Sequence, residues 1–420
     1  MFFDALKFLT IALASFISLQ AHAWGEQSGG AYIHAGTLID VNARKAKPKQ
    51  TIVIADGMVS SIIDGYAKPP EGTTAIDLKN ASVLPGLIDA HVHLLMNLGP
   101  ATQIKMLTQN DSEATLDGVV NARTTLMAGF TTVQDLGSRN EAIFALRDGI
   151  AKGQLPGPRI LASGEAISPN GQEGSIGCSG VDECRRVTRD HILSGADVIK
   201  TAITGGTLIG GDGPPARFTA EELRAIVETA QSMNRKVAVH AHGADAIKFA
   251  LRQNVHSIEH GTYLDDEAVR LFRKAKAVLV PTMMAGQVME AFAANPMAPP
   301  AFRKEASIFT SRLVAAAARA QKSGVTIALG TDVGAAVHGQ NAQELSLLVR
   351  AGLTPMEALR AGTIIAATHL GVDHLTGAIE KGKAADIIAV LDDDPLKDVS
   401  VLESVDFVMK AGIVYKGGDI

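Results

Sequence analysis

The chain has few cysteines, no basic block and no long apolar run, and each lack narrows what it can be. Two cysteines in 420 residues, Cys178 and Cys184, cannot build a disulfide-dense scaffold. Lys and Arg number 39 against 44 Asp and Glu, for a formal charge of −5, so the chain offers nucleic acid no electrostatic footprint. No stretch approaches about eighteen consecutive apolar residues, which excludes an expected membrane span. What is present excludes disorder as well. Apolar residues make up 46%, charged residues only 20%, and there are 41 glycines, the balance of a well-packed globular chain. The length suits one large domain of about 250 residues with a remainder, or two to three ordinary domains.

Part of that remainder lies at the N-terminus. Residues 8–19 are uncharged and mostly apolar, follow Lys7, and lead into Ala21-His22-Ala23. A short apolar run ending in Ala-x-Ala reads as a secretory signal peptide, here 1–23, cut after Ala23. The run is too short to serve as an anchor. A periplasmic or secreted bacterial protein beginning at residue 24 is therefore expected. Export permits a disulfide, so Cys178 and Cys184, six apart in a Gly-rich stretch, either close a small loop or remain free thiols.

Beyond residue 85 the chain repeats a unit of apolar run, loop and amphipathic helix. Eight runs predict strands at 83–90, 131–135, 159–164, 198–201, 236–241, 257–260, 278–282 and 326–331. They are near-continuously apolar, as parallel strands covered on both faces should be. Helices are expected at 112–128, 141–152, 181–194 and 219–233, the last opened by a Thr219/Glu222 capping box. Eight such units predict an α/β fold, a (β/α)8 TIM-type barrel over 85–372, with its active site at the C-terminal ends of the strands. The flanks, 24–84 and 373–420, are short Ile-, Val- and Thr-rich runs with turn signals, including a hairpin turn at Lys410-Ala411-Gly412. Neither flank has enough strands to bury a core alone, so the two are predicted to pair as one small β-sandwich built from both termini.

The strand ends carry the chemistry. The first run ends Asp89-Ala90-His91-Val92-His93, the fourth at Lys200, the fifth His240-Ala241-His242, the sixth Glu259-His260, and the eighth Thr331-Asp332. Residues two apart on a strand share a side, so His91 and His93 can both face the barrel mouth. A single such residue is ordinary; five strand ends of eight carrying His, Lys or Asp form a pattern. His242 competes with His240 as a ligand. The run Val237-Ala238-Val239 leads directly into His240 and favours it, leaving His242 for substrate contact or a structural role. Tyr263, just after His260, and His338, in the eighth loop, are further loop candidates for substrate binding. Long loops are expected at 166–180, 205–217 and 283–303. The third holds Met283, Met284, Met289, Phe292 and Met297, either a pocket lining or plain packing. The cysteines adjoin none of these residues, which leaves a thiol mechanism without support.

The stretches Leu84-Pro85-Gly86-Leu87-Ile88-Asp89-Ala90-His91-Val92-His93, Gly195-Ala196-Asp197-Val198-Ile199-Lys200, Ser257-Ile258-Glu259-His260-Gly261, Leu329-Gly330-Thr331-Asp332 and Gly382-Lys383-Ala384-Ala385-Asp386-Ile387 together resemble the amidohydrolase superfamily. Within it they look like the prolidase-like subgroup of Xaa-Pro dipeptidases and ochratoxin-hydrolysing amidohydrolases. The resemblance implies two divalent metal ions, with His91, His93 and Asp332 on one and His240 and His260 on the other. It also implies that Lys200 is modified to an Nε-carbamate bridging both. A protonated lysine would be repelled by two cations, whereas a carbamate offers two anionic oxygens to a pair about 3.5–4 Å apart. Zinc suits nitrogen and oxygen donors of this kind. The pair would lower the pKa of a shared water from about 15.7 toward roughly 7, and Asp332 would act as general base, passing the proton to the departing nitrogen.

The implied substrate is a small amide or dipeptide whose leaving group bears a carboxylate, and the implied assembly is a homo-oligomer. Hydrolysis of a cyclic amide or lactone is a second enzyme reading. A periplasmic binding protein without chemistry is a third, and it leaves Asp332 and Lys200 unexplained. One departure is plain. Many relatives carry Gly-Gly-His after the third strand, where this chain has Ser168-Pro169-Asn170-Gly171-Gln172-Glu173-Gly174, so Gln172 or Asn170 is expected to stand in at the substrate.

Overall fold

The computed structural model describes residues 30–99, 102–169, 175–205, 213, 215–294, 296 and 299–418. The expected signal peptide (1–23), Asn170, Gln172 and Met297 lie outside these residues. In chain order the first strands are β1 (Gly30–Asp40), β2 (Lys45–Ala55), β3 (Met58–Asp64) and β4 (Thr74–Pro85). The barrel region follows with β5 (Leu87–Val92), β6 (Phe130–Asp135), β7 (Arg159–Ala162), the short β8 (Ala166–Ser168) and β9 (Ser175–Gly177), and β10 (Val198–Ala202). It continues with β11 (Lys236–Ala241), β12 (Ser257–His260), β13 (Val278–Val280) and β14 (Thr326–Ile327). The chain ends on β15 (Ile387–Leu391), β16 (Phe407–Lys410) and β17 (Ile413–Lys416).

Eight of these strands make the expected barrel. β5, β6 and β7 pair in parallel, as do β10 through β14. The two arcs meet on both sides. Asp197 N donates to Ala162 O at 2.8 Å between β7 and β10, while Ala90 N donates to Leu329 O at 2.9 Å and His93 N to Val333 O at 2.8 Å beside β5. Helices cover the outside, including Ala220–Ser232, where Thr219 and Glu222 form the expected reciprocal cap. Cys178 and Cys184 are joined as a disulfide, which resolves their open status.

Three local expectations change. The first barrel strand does not begin at 83. The run divides at Gly86, where a Cβ would lie 2.2 Å from Thr131 Oγ1, and Val83 and Leu84 instead pair with Ala389 and Ile388 of β15. The eighth strand has a regular ladder only at Thr326–Ile327. Beyond it the chain leaves strand geometry and reaches Asp332 with φ of +61°. The segment at 283–303, expected as a loop, is largely helical: Met283–Ala293 and the start of Pro300–Lys322. Met283 and Met284 are buried in the main core, so those two serve packing.

The terminal strands form one mixed sheet in the order β17-β16-β15-β4-β1-β2-β3. In a flat sheet β3 and β15 would lie about 19 Å apart. Here Met58 bridges Ala384 and Val59 N donates to Lys383 O at 2.8 Å, so the sheet curls on itself around Ile33, Ile52, Leu78, Val83, Ile387 and Phe407. The hairpin at Lys410-Ala411-Gly412 forms as expected, with φ of +48° and +79° at Ala411 and Gly412, the sign that a tight two-residue turn requires.

Asp386 fastens this sheet to the barrel. Its buried carboxylate accepts from Arg159 Nη1 at 2.8 Å, Thr376 Oγ1 at 2.8 Å and Ala411 N at 2.9 Å, and its backbone oxygen accepts from Gly86 N at 2.9 Å. Removing one member of a buried pair leaves the other charge uncompensated. Asp386→Ala is therefore expected to cost about 3 kcal/mol of stability, read as a lowered urea midpoint; an unchanged midpoint would show that the junction does not depend on this carboxylate.

Candidate metal centre

The apolar interior of β5, β10, β11 and β12 fixes their register, and their C-terminal ends deliver the polar residues to one place. His91, Lys200, His242 and His260 are buried, while His93, His240 and Asp332 are partly so. His260 is the hub. Its ring centroid is 4.5 Å from that of His240, 4.6 Å from His242 and 5.2 Å from His91. Two donor groups converge there, one of His91, His260 and Asp332 and one of His240, His242 and His260, each with its ligand atoms within 4.8 Å of one another. His93 Nε2 lies 3.2 Å from Asp332 Oδ1, and Lys200 Nζ lies 3.4 Å from His91 Nε2. The six residues expected as ligands are thus gathered in one cluster, with His242 beside them.

The rings of His91, His93, His242 and His260 are each held through Nδ1, as metal-binding histidines are held by their remote nitrogen, while His240 Nδ1 lies 2.8 Å from His260 Nε2. His91 Nδ1 meets Glu259 Oε2 at 2.8 Å, and Glu259 is in turn fixed by Ser257 Oγ at 2.5 Å. His93 Nδ1 donates to Gly137 O at 3.0 Å, and His260 Nδ1 meets Thr282 Oγ1 at 2.7 Å. His242 Nδ1 meets Thr262 Oγ1 at 2.8 Å. Three strand ends carry residues in the left-handed region, His260 at +70°, Thr282 at +49° and Asp332 at +61°. That conformation is costly for side chains of this kind and clusters at functional sites.

The electrostatics fit a cation-binding role. Burial, reinforced by Lys200, pushes the His240 imidazole down to about 3. Burial together with its imidazole neighbours holds His260 and His242 well below the usual histidine range. These rings are neutral, with lone pairs available. Burial alone would raise the Asp332 carboxyl, but the hydrogen bond to His93 and the nearby His91, His93 and Lys200 hold it at about 2. Burial lowers Lys200 against the opposing pull of Glu259, Asp332 and Asp135. Neutral nitrogens around one ionised carboxylate are the donor chemistry of divalent metals such as zinc.

Sequence reasoning did not assign roles to several buried acids. Asp89 staples the first strand to the eighth: Oδ1 accepts from His91 N and Thr331 N at 3.1 Å each, and Oδ2 from Thr331 Oγ1 at 2.6 Å and Asn341 Nδ2 at 2.8 Å. Burial pushes its carboxyl up to about 6 despite these bonds. Asp135 ends β6 as Asp332 ends the eighth run, and Oδ2 accepts from Leu94 N at 2.7 Å; the strand-end rule alone would have found it. Glu344 accepts from Met283 N and Met284 N at 2.9 Å each. It thereby caps the helix that follows Thr282, and burial lifts it to about 8.

Of the expected substrate contacts, His338 gives Nε2 to Met96 O at 2.8 Å, and its Nδ1 is buried without a partner among the described residues. Tyr263 receives a hydrogen bond from Arg312 Nη1 at 2.6 Å, with that guanidinium 4.8 Å from its ring centroid.

Glu259 offers a direct test of the outer support. Glu259→Gln keeps the shape but loses the charge that orients His91. It is expected to weaken metal affinity or turnover about 10- to 100-fold, measured by chelator competition on the metal-loaded protein; an unchanged affinity and rate would remove Glu259 from the design.

A parallel barrel with converging imidazoles, a carboxylate and a buried lysine at its strand ends, and a sheet joined from both termini beside it, is the architecture of a metal-dependent hydrolase. Residues 82–415 match the Amidohydrolase family, and the chain belongs to it. It is 31% identical to the ochratoxinase of Aspergillus niger, over 92% of this chain and 87% of that protein. It superposes on the crystal structure of a Xaa-Pro dipeptidase with bound methionine in the active site with a TM-score of 0.85 and 34% identity, covering 92% of this chain and 100% of the other. The crystal structure of the A. niger ochratoxinase superposes with a TM-score of 0.81 and 28% identity, over 94% of this chain and 97% of the other. The protein is an amidohydrolase of the prolidase-like subgroup, acting on amide or peptide C–N bonds.

Proposed function

We propose that the protein is an exported amidohydrolase with a binuclear metal centre, cleaving an amide bond whose leaving group bears a carboxylate. Xaa-Pro and other dipeptides, N-acyl amino acids and ochratoxin A-like conjugates make up that class. The observation that carries the proposal is the pair of donor groups sharing His260, with Lys200 Nζ 3.4 Å from His91 Nε2 of one of them. His91, His93 and Asp332 would hold one ion and His240 and His260 the other, with Lys200 as the carbamate between them. When bound, two divalent ions supply an activated water and an electrophile for the scissile carbonyl.

The remaining work falls to the chain. Asp332, ionised and aimed into the cluster, accepts the proton of the attacking water and returns it to the leaving nitrogen. Glu259, Thr282 and Gly137 O keep the rings oriented. Arg312, which donates to Tyr263 in the loop that follows His260 and pairs with Glu305 at 3.5 Å, is the cation proposed to recognise the carboxylate. The amidohydrolase neighbours named for a dipeptidase and an ochratoxinase support the same substrate class. Export is supported by the apolar run ending in Ala21-His22-Ala23 and by the paired cysteines, which persist in oxidising compartments.

The deciding assay offers the zinc-supplemented protein Xaa-Pro dipeptides, N-acyl amino acids and ochratoxin A, each beside its carboxamide counterpart. Hydrolysis confined to the free acids is expected. Equal rates on the carboxamides, or no turnover of any member, would defeat the proposal.

A further inference from the structure

A second cavity, of about 540 Å3, lies at the end of the barrel opposite the imidazole cluster. It is formed where the strands begin: Lys236 starts β11, His256 immediately precedes β12, and Val278 starts β13. Its size falls within the range of small-molecule pockets, about 300–1,000 Å3. Lys236, Lys276 and Arg360 bring three cations to its lining, and no Asp or Glu among the described residues lines it.

Part of this charge serves the fold. Lys236 Nζ donates to the carbonyls of Thr368, at 3.3 Å, and His369, at the end of the helix Ile364–Leu370, and Arg360 donates to Val41 O. Lys236 is also near enough to Asp373 to feel its charge. Two donors are left over. An ammonium has three donors, so Lys236 retains one. His256 Nδ1 accepts from Val237 N at 3.0 Å, which puts the proton of the neutral ring on Nε2 and makes that atom a donor. His369 also lines the cavity, but its Nε2 is buried and closed to a ligand.

We propose that this cavity binds a small organic oxyanion. Its charged head would lie among Lys236, Lys276 and His256, and its apolar body against Val278 and Ile365. The site is separate from the reaction proposed at the opposite end and does not depend on it.

The test is a titration of the metal-loaded protein with 4-fluorobenzoate, followed by fluorine NMR. Carboxylates can also bind at the metal cluster, so two variants at the cavity separate the sites. Ala275→Trp fills the cavity from its rim, and Lys276→Glu reverses an exposed charge; urea midpoints report on their folding. A saturable component is expected in the unsubstituted protein. It should vanish in Ala275→Trp, weaken about ten-fold or more in Lys276→Glu, and resist displacement by neutral 4-fluorobenzamide. Binding that is absent, that survives both variants, or that the amide displaces would overturn the proposal.

Discussion

Asp332→Asn is expected to lower kcat by about 10²- to 10⁴-fold while the barrel keeps its fold. Asparagine has the same shape and keeps an oxygen toward His93, which lies 3.2 Å from Asp332 Oδ1, so a coordinating oxygen is retained. The ability to take a proton is not. The backbone fixes where the side chain points: Asp332 N donates to His91 O at 2.8 Å, and Asp332 O accepts from Ala335 N and Ala336 N at 3.0 Å each. This network ties residue 332 to the first strand in a left-handed conformation. Because the carboxyl is held at about 2, it is ionised at neutral pH. The two roles proposed for it, ligand and base, separate when kcat and zinc content are measured on the same preparation. A variant with full zinc and wild-type kcat would exclude Asp332 as the base. Zinc and kcat that fall in parallel and recover together in excess zinc would reduce it to a ligand.

The barrel and the residues gathered at its mouth were legible because burial and strand order coincide along the chain. Val237-Ala238-Val239 must be apolar to fill the barrel, and the first polar residue after such a run, His240, falls at the mouth by geometry alone. The same logic exposes Lys200, which follows Val198 and Ile199 in β10, and His260 at the end of β12. Legibility fails where the cause lies far along the chain. Asp89 shares a strand face with His91 and His93, but its partners Thr331 and Asn341 come 242 and 252 residues later. Glu344 reads as an ordinary polar position in a helix, and only the packing of Met283–Ala293 against it reveals a buried cap. The close approach of Thr131 to Gly86 across the sheet is likewise recorded by no run of apolar residues. The methionines at 283–284 were ambiguous for a different reason: an unbranched apolar side chain suits a pocket wall and a core equally, and burial decided between them.

Lys200→Ala is expected to reduce turnover on the order of 10²–10³-fold, with partial recovery in acetate or propionate plus excess zinc. The side chain is buried, with Nζ 3.4 Å from His91 Nε2, among rings that burial keeps neutral. An ammonium in that position opposes any cation the rings would bind. Desolvation already disfavours it, lowering the lysine below its ordinary value, and a neutral amine is the form that reacts with carbon dioxide. The proposed carboxylation would reverse the sign of the residue and give the two oxygens that a metal pair requires. Truncation to alanine removes those oxygens and leaves space along β10, into which a small carboxylic acid can place an equivalent pair. Rescue should saturate with acid concentration and should fail with the matching amide, acetamide. If no acid restores turnover although zinc binding is intact, the bridging carbamate is excluded and Lys200 acts only as a buried amine. If acetamide rescues as well as acetate, the gain comes from filling the space, and the charge reversal plays no part.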